Sequence, residues 1–185
     1  DGVTVTIDDA NTDNNSLDVV TGADITVDLE VTTATGLTIT DAVNVTINAE
    51  GGAANASALV LDATDTKTLT LTADDGNTLI TGNITGSDEI TTITATTSKA
   101  SGTIETGTIV DVDGLTSLNL TAVNANLTIG ALGTDATANN AELLANITTV
   151  ATGTSVVLET GAIYADSSSD STTDLAMTLD ITTNV

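Results

Sequence analysis

Apolar and polar residues alternate with a period of two along most of the chain. Val3, Val5 and Ile7 are separated by Thr4 and Thr6, and Ile25, Val27, Leu29 and Val31 by Thr26, Asp28 and Glu30. Such alternation puts one set of side chains on a buried face and the other on a wet one, so it predicts half-buried β-strands. The same reading predicts strands at 37–39, 43–47, 59–61, 69–71, 79–80, 90–93, 118–120, 127–129, 156–158 and 175–181. Clusters of Gly, Asn and Asp fall between them as turns: Gly51-Gly52, Asp74-Asp75-Gly76-Asn77 and Asp113-Gly114. One segment departs from the pattern. Over residues 139–147, Asn139 or Asn140 is placed to cap a short helix carrying Leu143, Leu144 and Ile147 on one side.

Three stretches repeat loosely as strand, short corner, strand: 37–48, 69–80 and 118–129. Asn44, Asn77 and Asn126 stand near the corners, where Asn tolerates left-handed dihedrals and ladders with a polar neighbour above or below. The repeats start at uneven intervals, which excludes the strict arrays of fixed period. The expected fold is all-β, an irregular β-solenoid or β-helix-like stack of short strands with one short helix near 139–147, and a β-sandwich is the alternative. Parallel pairing among Leu59, Leu69 and Leu79 belongs to the first, and an antiparallel hairpin at Asp74 to Asn77 to the second. Residues 1–185 read as a single β-rich domain, whether it stands alone, is a fragment or serves as a repeat unit in a larger assembly.

Composition changes this picture in two ways. The apolar fraction of 40% and a mean hydropathy of +0.25 argue for a packed core and against disorder, and with one Tyr as the sole aromatic that core must be built from Val, Ile, Leu and Ala. Small residues suit closely spaced sheets. Thr is abundant; its β-branch suits the outward face of a strand, where hydroxyls pair across the ladder. The missing Pro, a common edge-blunting device, leaves sheet edges to be managed by charge or by a neighbouring chain.

Charge narrows the function. Asp and Glu number 26 against 2 basic residues, Lys67 and Lys99, for a formal net charge of -24. Binding a phosphate backbone or an anionic membrane surface needs a basic patch, so nucleic acid is excluded as a partner. No apolar run approaches the roughly 20 residues of a transmembrane segment. With no His, Cys or Arg there is no Ser-His-Asp triad, thiol nucleophile, imidazole zinc site or arginine clamp. A carboxylate pair such as Glu89 and Glu105 is what remains for glycoside chemistry, and the aromatic platforms of carbohydrate sites are absent. The chain reads as not an enzyme.

Cations are the partners that acidity invites. Asp9, Asn11, Asp13 and Asn15 offer oxygen donors at alternate positions, like the first half of a calcium loop. Val20 stands where an EF-hand requires its bidentate Glu, which reduces the candidate to a smaller Asx loop. Further candidate calcium ligands are Asp74 and Asp75 before Gly76, and Asp111 and Asp113 before Gly114, followed by Asp62 with Asp65 and the series Asp166, Asp170, Asp174. Thr-x-Thr triplets at Thr38, Thr68 to Thr72 and Thr92 to Thr96 raise a second use, a hydroxyl lattice that orders water, against which the uneven spacing counts.

The segments Leu69 to Asn83 and Gly114 to Ala122, in a chain rich in Thr, Ala, Asp and Asn and devoid of Cys, resemble the surface-layer proteins that Gram-negative bacteria export by type I secretion. The likeness is one of texture over most of the chain. It departs from that family in lacking glycine-rich calcium nonapeptides, since Gly51-Gly52 runs into Ala53-Ala54-Asn55. The resemblance implies an extracellular, cell-surface location and calcium-dependent assembly. The expected function is therefore a secreted structural protein that self-assembles as a homo-oligomer into a surface layer or filament, bridged by divalent cations. The alternative is a calcium-stiffened adhesin module that binds a cell-surface glycan.

Overall fold

The computed structural model describes residues 2–7, 22–30, 37–50, 53–62, 66–86, 88–98, 101–133, 143–164 and 178–184. Among these the chain is all-β. The strands are β1 (Val3–Ile7), β2 (Ile25–Leu29), β3 (Leu37–Thr40), β4 (Asn44–Ala49), β5 (Ala53–Asp62), β6 (Thr68–Ala73), β7 (Thr78–Thr85), β8 (Thr92–Thr97), β9 (Thr103–Thr106), β10 (Ile109–Val110), β11 (Ser117–Val123), β12 (Asn126–Ile129), β13 (Asn146–Thr152), β14 (Val157–Thr160) and β15 (Thr178–Asn184).

They form two sheets. The first runs β1-β2-β4-β6-β8-β11-β13-β15, and the second β14-β12-β9-β7-β5-β3 with β10 beside β7. Every pairing between these strands is parallel. Parallel neighbours cannot be joined by a tight turn and need a crossover. Here the crossover is a strand of the other sheet: from β3 to β9 the chain alternates between sheets, and each sheet advances by one strand per pass.

Alternation in the sequence becomes alternation of burial. In β4, β6 and β8 each apolar residue is buried and each intervening Thr or Asn half-buried, and in β11 the buried Leu118, Leu120 and Ala122 alternate with Ser, Asn, Thr and Val. Register then stacks like on like. Ile25, Val45, Leu69, Ile93, Leu118 and Ile147 are successive partners across the first sheet, and so are Val27, Ile47, Leu71, Ala95 and Leu120. These side chains join Leu37, Ile39, Leu79, Ile84, Ile104, Leu127 and Ile129 of the second sheet in one core cluster. Complete burial of each Leu or Ile contributes about 1.5–3 kcal/mol. The inward position closest to the crossing into the second sheet holds Ala49, Ala73, Thr97 and Ala122 in successive strands. Small side chains there leave room for the turn.

Three expectations are corrected. No helix occurs among the described residues of 139–147: Leu143 to Ala145 are turn and irregular structure, and Asn146 and Ile147 open β13, while Asn139 and Asn140 lie outside the described residues. The parallel pairing of β11 with β13 wins over local helix propensity, because it buries Ile147 beside Leu118. The hairpin at Asp74 to Asn77 is also absent, since β6 and β7 belong to different sheets. Leu69 pairs with Val45 and Ile93, whereas Leu59 and Leu79 lie in the second sheet beside Leu37 and Ile84, and Ala54 and Ile104. Lastly, the loose repeats are not in phase. Stretches 69–80 and 118–129 start in the first sheet and cross to the second, but 37–48 starts in the second and returns to the first.

Candidate functional site

Each crossing between sheets forces a sharp change of direction, and the left-handed residues sit at these corners. Asp41, Asp75, Ser101, Asp111, Asn124 and Ser155 all have φ between 50° and 72°. Short polar side chains adopt this conformation at lower cost than others because they bond locally to the backbone. Asn44, Asn77 and Asn126, expected to take it, instead follow the corner, with Asn44 and Asn126 opening β4 and β12. Part of the acidity at the corners is thus explained by backbone geometry alone.

Among the described residues, the β6–β7 corner brings several candidate donors together. Asp74 and Asp75 line a cavity of about 430 Å³ with Glu50, Asn48, Thr72 and Asn77. Glu50 comes from the β4–β5 connection, one pass earlier, and sequence reasoning missed it. Its signal was its place three residues past the expected strand 43–47 and before Gly51-Gly52, as Asp74 stands three residues past 69–71. The corner is tied to both neighbouring passes. The Asn77 amide Nδ2 donates to the Ala49 carbonyl at 2.9 Å, and Asp74 Oδ1 accepts from the Ser98 N–H at 2.9 Å and the Ser98 hydroxyl at 2.7 Å. Asp75 is exposed, and Gly76 completes the turn at φ 83°.

Carboxylate and amide oxygens of this kind suit a hard cation. They are spread around the cavity, however, and no group of three or more Asp or Glu converges on one point among the described residues. Asp74 already uses one oxygen on Ser98. What the arrangement offers is a carboxylate-lined corner open to a cation that takes its remaining ligands from water or from a neighbour.

Asp111 and Asp113 lie at the opposite crossing, from β10 back to β11, and are not joined to Asp74 and Asp75. They flank Val112, which is buried, and the Val112 carbonyl accepts the Leu115 N–H at 2.9 Å to close the turn. Gly114 is required here by close approach, since a Cβ would fall 2.0 Å from the Asp88 carbonyl oxygen of the preceding pass. Asp9, Asn11, Asp13 and Asn15 lie outside the described residues, as do Asp65, Asp166, Asp170 and Asp174. Asp62 ends β5. Of the carboxylate pair considered for glycoside chemistry, Glu89 is in the β7–β8 connection and Glu105 on the exposed side of β9.

Polar ladders also run across the first sheet. Asn44 donates to Asp24 at 2.6 Å and accepts from the Thr68 hydroxyl at 2.7 Å; Asn48 donates to Asp28 at 2.8 Å and accepts from Thr72. Each links three consecutive strands or strand entries. No protein family, curated protein or solved structure matches the chain. No helix among the described residues is long and apolar enough to cross a membrane.

Proposed function

We propose that this chain is a β-solenoid-like structural protein, secreted and non-enzymatic, that assembles with copies of itself into a surface layer or filament at the cell surface. The observation that carries the reading is the parallel ladder itself. Each pass presents the next with the same register of apolar and Thr positions, so the architecture extends by adding strands. Several polar groups on the described residues support this ladder: left-handed Asp41, Asp75, Asp111 and Asn124 at corners, the Asn44, Asn48 and Asn77 amides bonding one pass down, and Asp74 holding Ser98 one pass up.

Calcium is the proposed bridge. Glu50, Asp74 and Asp75 are its nearest candidates, supplying some of the ligands while water or a neighbouring copy supplies the rest. Divalent ions also relieve the self-repulsion of a body at -24. Sedimentation velocity and electron microscopy of the full chain, in millimolar calcium and then in chelator, test the reading. Ordered assemblies that form in calcium and dissolve in chelator are expected. A monomer indifferent to both overturns the proposal.

A further inference from the structure

We infer that the outward face of the first sheet, centred on β8, is the surface through which a second copy of this chain packs. The inference rests on the assembly reading and names the contact. Its starting point is where the acids are not. The five adjacent strands β4, β6, β8, β11 and β13 contain no ionisable residue, in a chain with 26 acids. In the first sheet, acids on strands occur on β2 and β15, at Asp28 and Asp180.

Repulsion within a ladder does not account for this gap. In the second sheet every other strand of the path carries an acid, Glu159 on β14, Glu105 on β9 and Asp62 on β5, with neutral β12, β7 and β3 between them. A parallel sheet of this protein therefore tolerates a carboxylate on alternate strands. Strand propensity does not account for it either, because the second sheet places Ile80 and Glu105 at paired positions on its outward side.

The neutral positions form a lattice. Thr26, Thr46, Thr70, Thr94, Asn119 and Thr148 are successive partners in one rank, and Asn48, Thr72, Thr96 and Thr121 in the next. Thr68 and Thr72 use their hydroxyls on Asn44 and Asn48, but Thr70 and Thr94 make no side-chain hydrogen bond among the described residues. A hydroxyl both donates and accepts, so a face of Thr and Asn is complementary to itself, as a two-fold contact requires. For a body at -24, the broad uncharged face is where a copy approaches with least repulsion.

The size fits. Strands about 4.8 Å apart and about 20 Å long give the five neutral strands about 480 Å² of plane, and the eight strands of the sheet about 770 Å². A standard interface covers about 800 Å² per partner. Its centre is depleted of charge and its rim polar, and here Asp28 and Asp180 stand on the flanking strands.

The test substitutes the same charge on each sheet of the full chain. Thr94→Glu is expected to weaken self-association about tenfold or more, because it sets like charges against each other at the centre of the contact. Asn126→Glu, on the outward side of β12 between the uncharged Thr103 and Val157, should leave association within about twofold. Because the chain has no cysteine, Thr94→Cys and Thr128→Cys with a short bismaleimide supply a second measurement that needs no buried charge. Crosslinked dimers from the first and not the second are expected. Wild-type assembly that Thr94→Glu leaves intact, with no crosslink at position 94, overturns this inference and spares the assembly reading. A wild-type monomer overturns both, and if that monomer adsorbs to ice or to a crystalline polysaccharide, the face belongs to an extended solid.

Discussion

The two sheets are built from the same kind of strand, yet they treat their outer surface and their continuity differently. The first keeps one unbroken register from β1 to β15, and its outward side from β4 to β13 is a neutral lattice, mainly of Thr and Asn. The second is broken. Between β9 and β10 the ladder is interrupted at Gly107, whose N–H reaches both the Thr81 and Gly82 carbonyls, and the chain bends before pairing resumes at Ile109 with Ile84. Gly130 repeats the bend one pass later, and its N–H is satisfied by the buried Thr106 hydroxyl at 3.1 Å. A continuous sheet offers a regular surface for contact, and a bent one offers the corner that returns the chain to the core.

The largest expected losses lie in the core. Leu71→Ala, in a fully buried position of the first sheet, is expected to cost about 4 kcal/mol, measured by chemical denaturation. Leu158→Ala on β14, whose side chain is half-buried, should cost about 1–2 kcal/mol. Equal losses would mean that the two sheets share the load evenly. The bend is tested next. A Cβ on Gly130 would lie 2.1 Å from the Gly107 carbonyl oxygen, so Gly130→Ala forces backbone apart and should cost about 2–3 kcal/mol while leaving the first-sheet face able to associate. Smaller again is Asp74→Ala, which hands the exposed Ser98 N–H and hydroxyl over to water and should cost about 1 kcal/mol; the calcium-dependent rise in Tm should shrink with it. At the bottom, Thr70→Val and Thr128→Val should each change stability by under about 0.5 kcal/mol, with an effect on assembly from the first alone.

Much of this contrast was legible in the sequence. Period-two alternation located β2, β3, β4, β6, β11 and β12 because each buries every second residue, and it located β1 although Val3 there is exposed. It missed β13, read in part as helix, and also β9 and β10, where the run Ile104-Glu105-Thr106-Gly107-Thr108-Ile109 hides its period: Thr106 is buried, Glu105 exposed, and Gly107 shifts the phase. The expected strand at 90–93 became β8 at Thr92–Thr97, since Ile90 is buried in the connection before the strand starts. Connectivity was beyond periodicity altogether. Asp74-Asp75-Gly76-Asn77 has the composition of a hairpin turn, and nothing local distinguishes a chain that doubles back from one that crosses to another sheet.

The candidate site was legible residue by residue but not as a site. Asp74 and Asp75 were found from their turn chemistry, while Glu50 and Asn48 join them through a stacking of passes that no short motif encodes. Asp111 was read as a donor, and its left-handed backbone at φ 57° gives it a structural task first.

The step between successive passes is not constant. It is 20 residues from Asp24 to Asn44, 24 from Asn44 to Thr68 and 25 from Thr91 to Thr116, while the partners Asn119 and Thr148, then Thr148 and Asp180, lie further apart still. Side chains across the first sheet nonetheless meet in the same order. Because each pass touches mainly the one before and the one after, a lengthened connection disturbs two neighbours and nothing beyond them. Such a chain accepts a longer or shorter connection, or a whole added pass, without redesign of the rest, so length is free to vary where the strands are not.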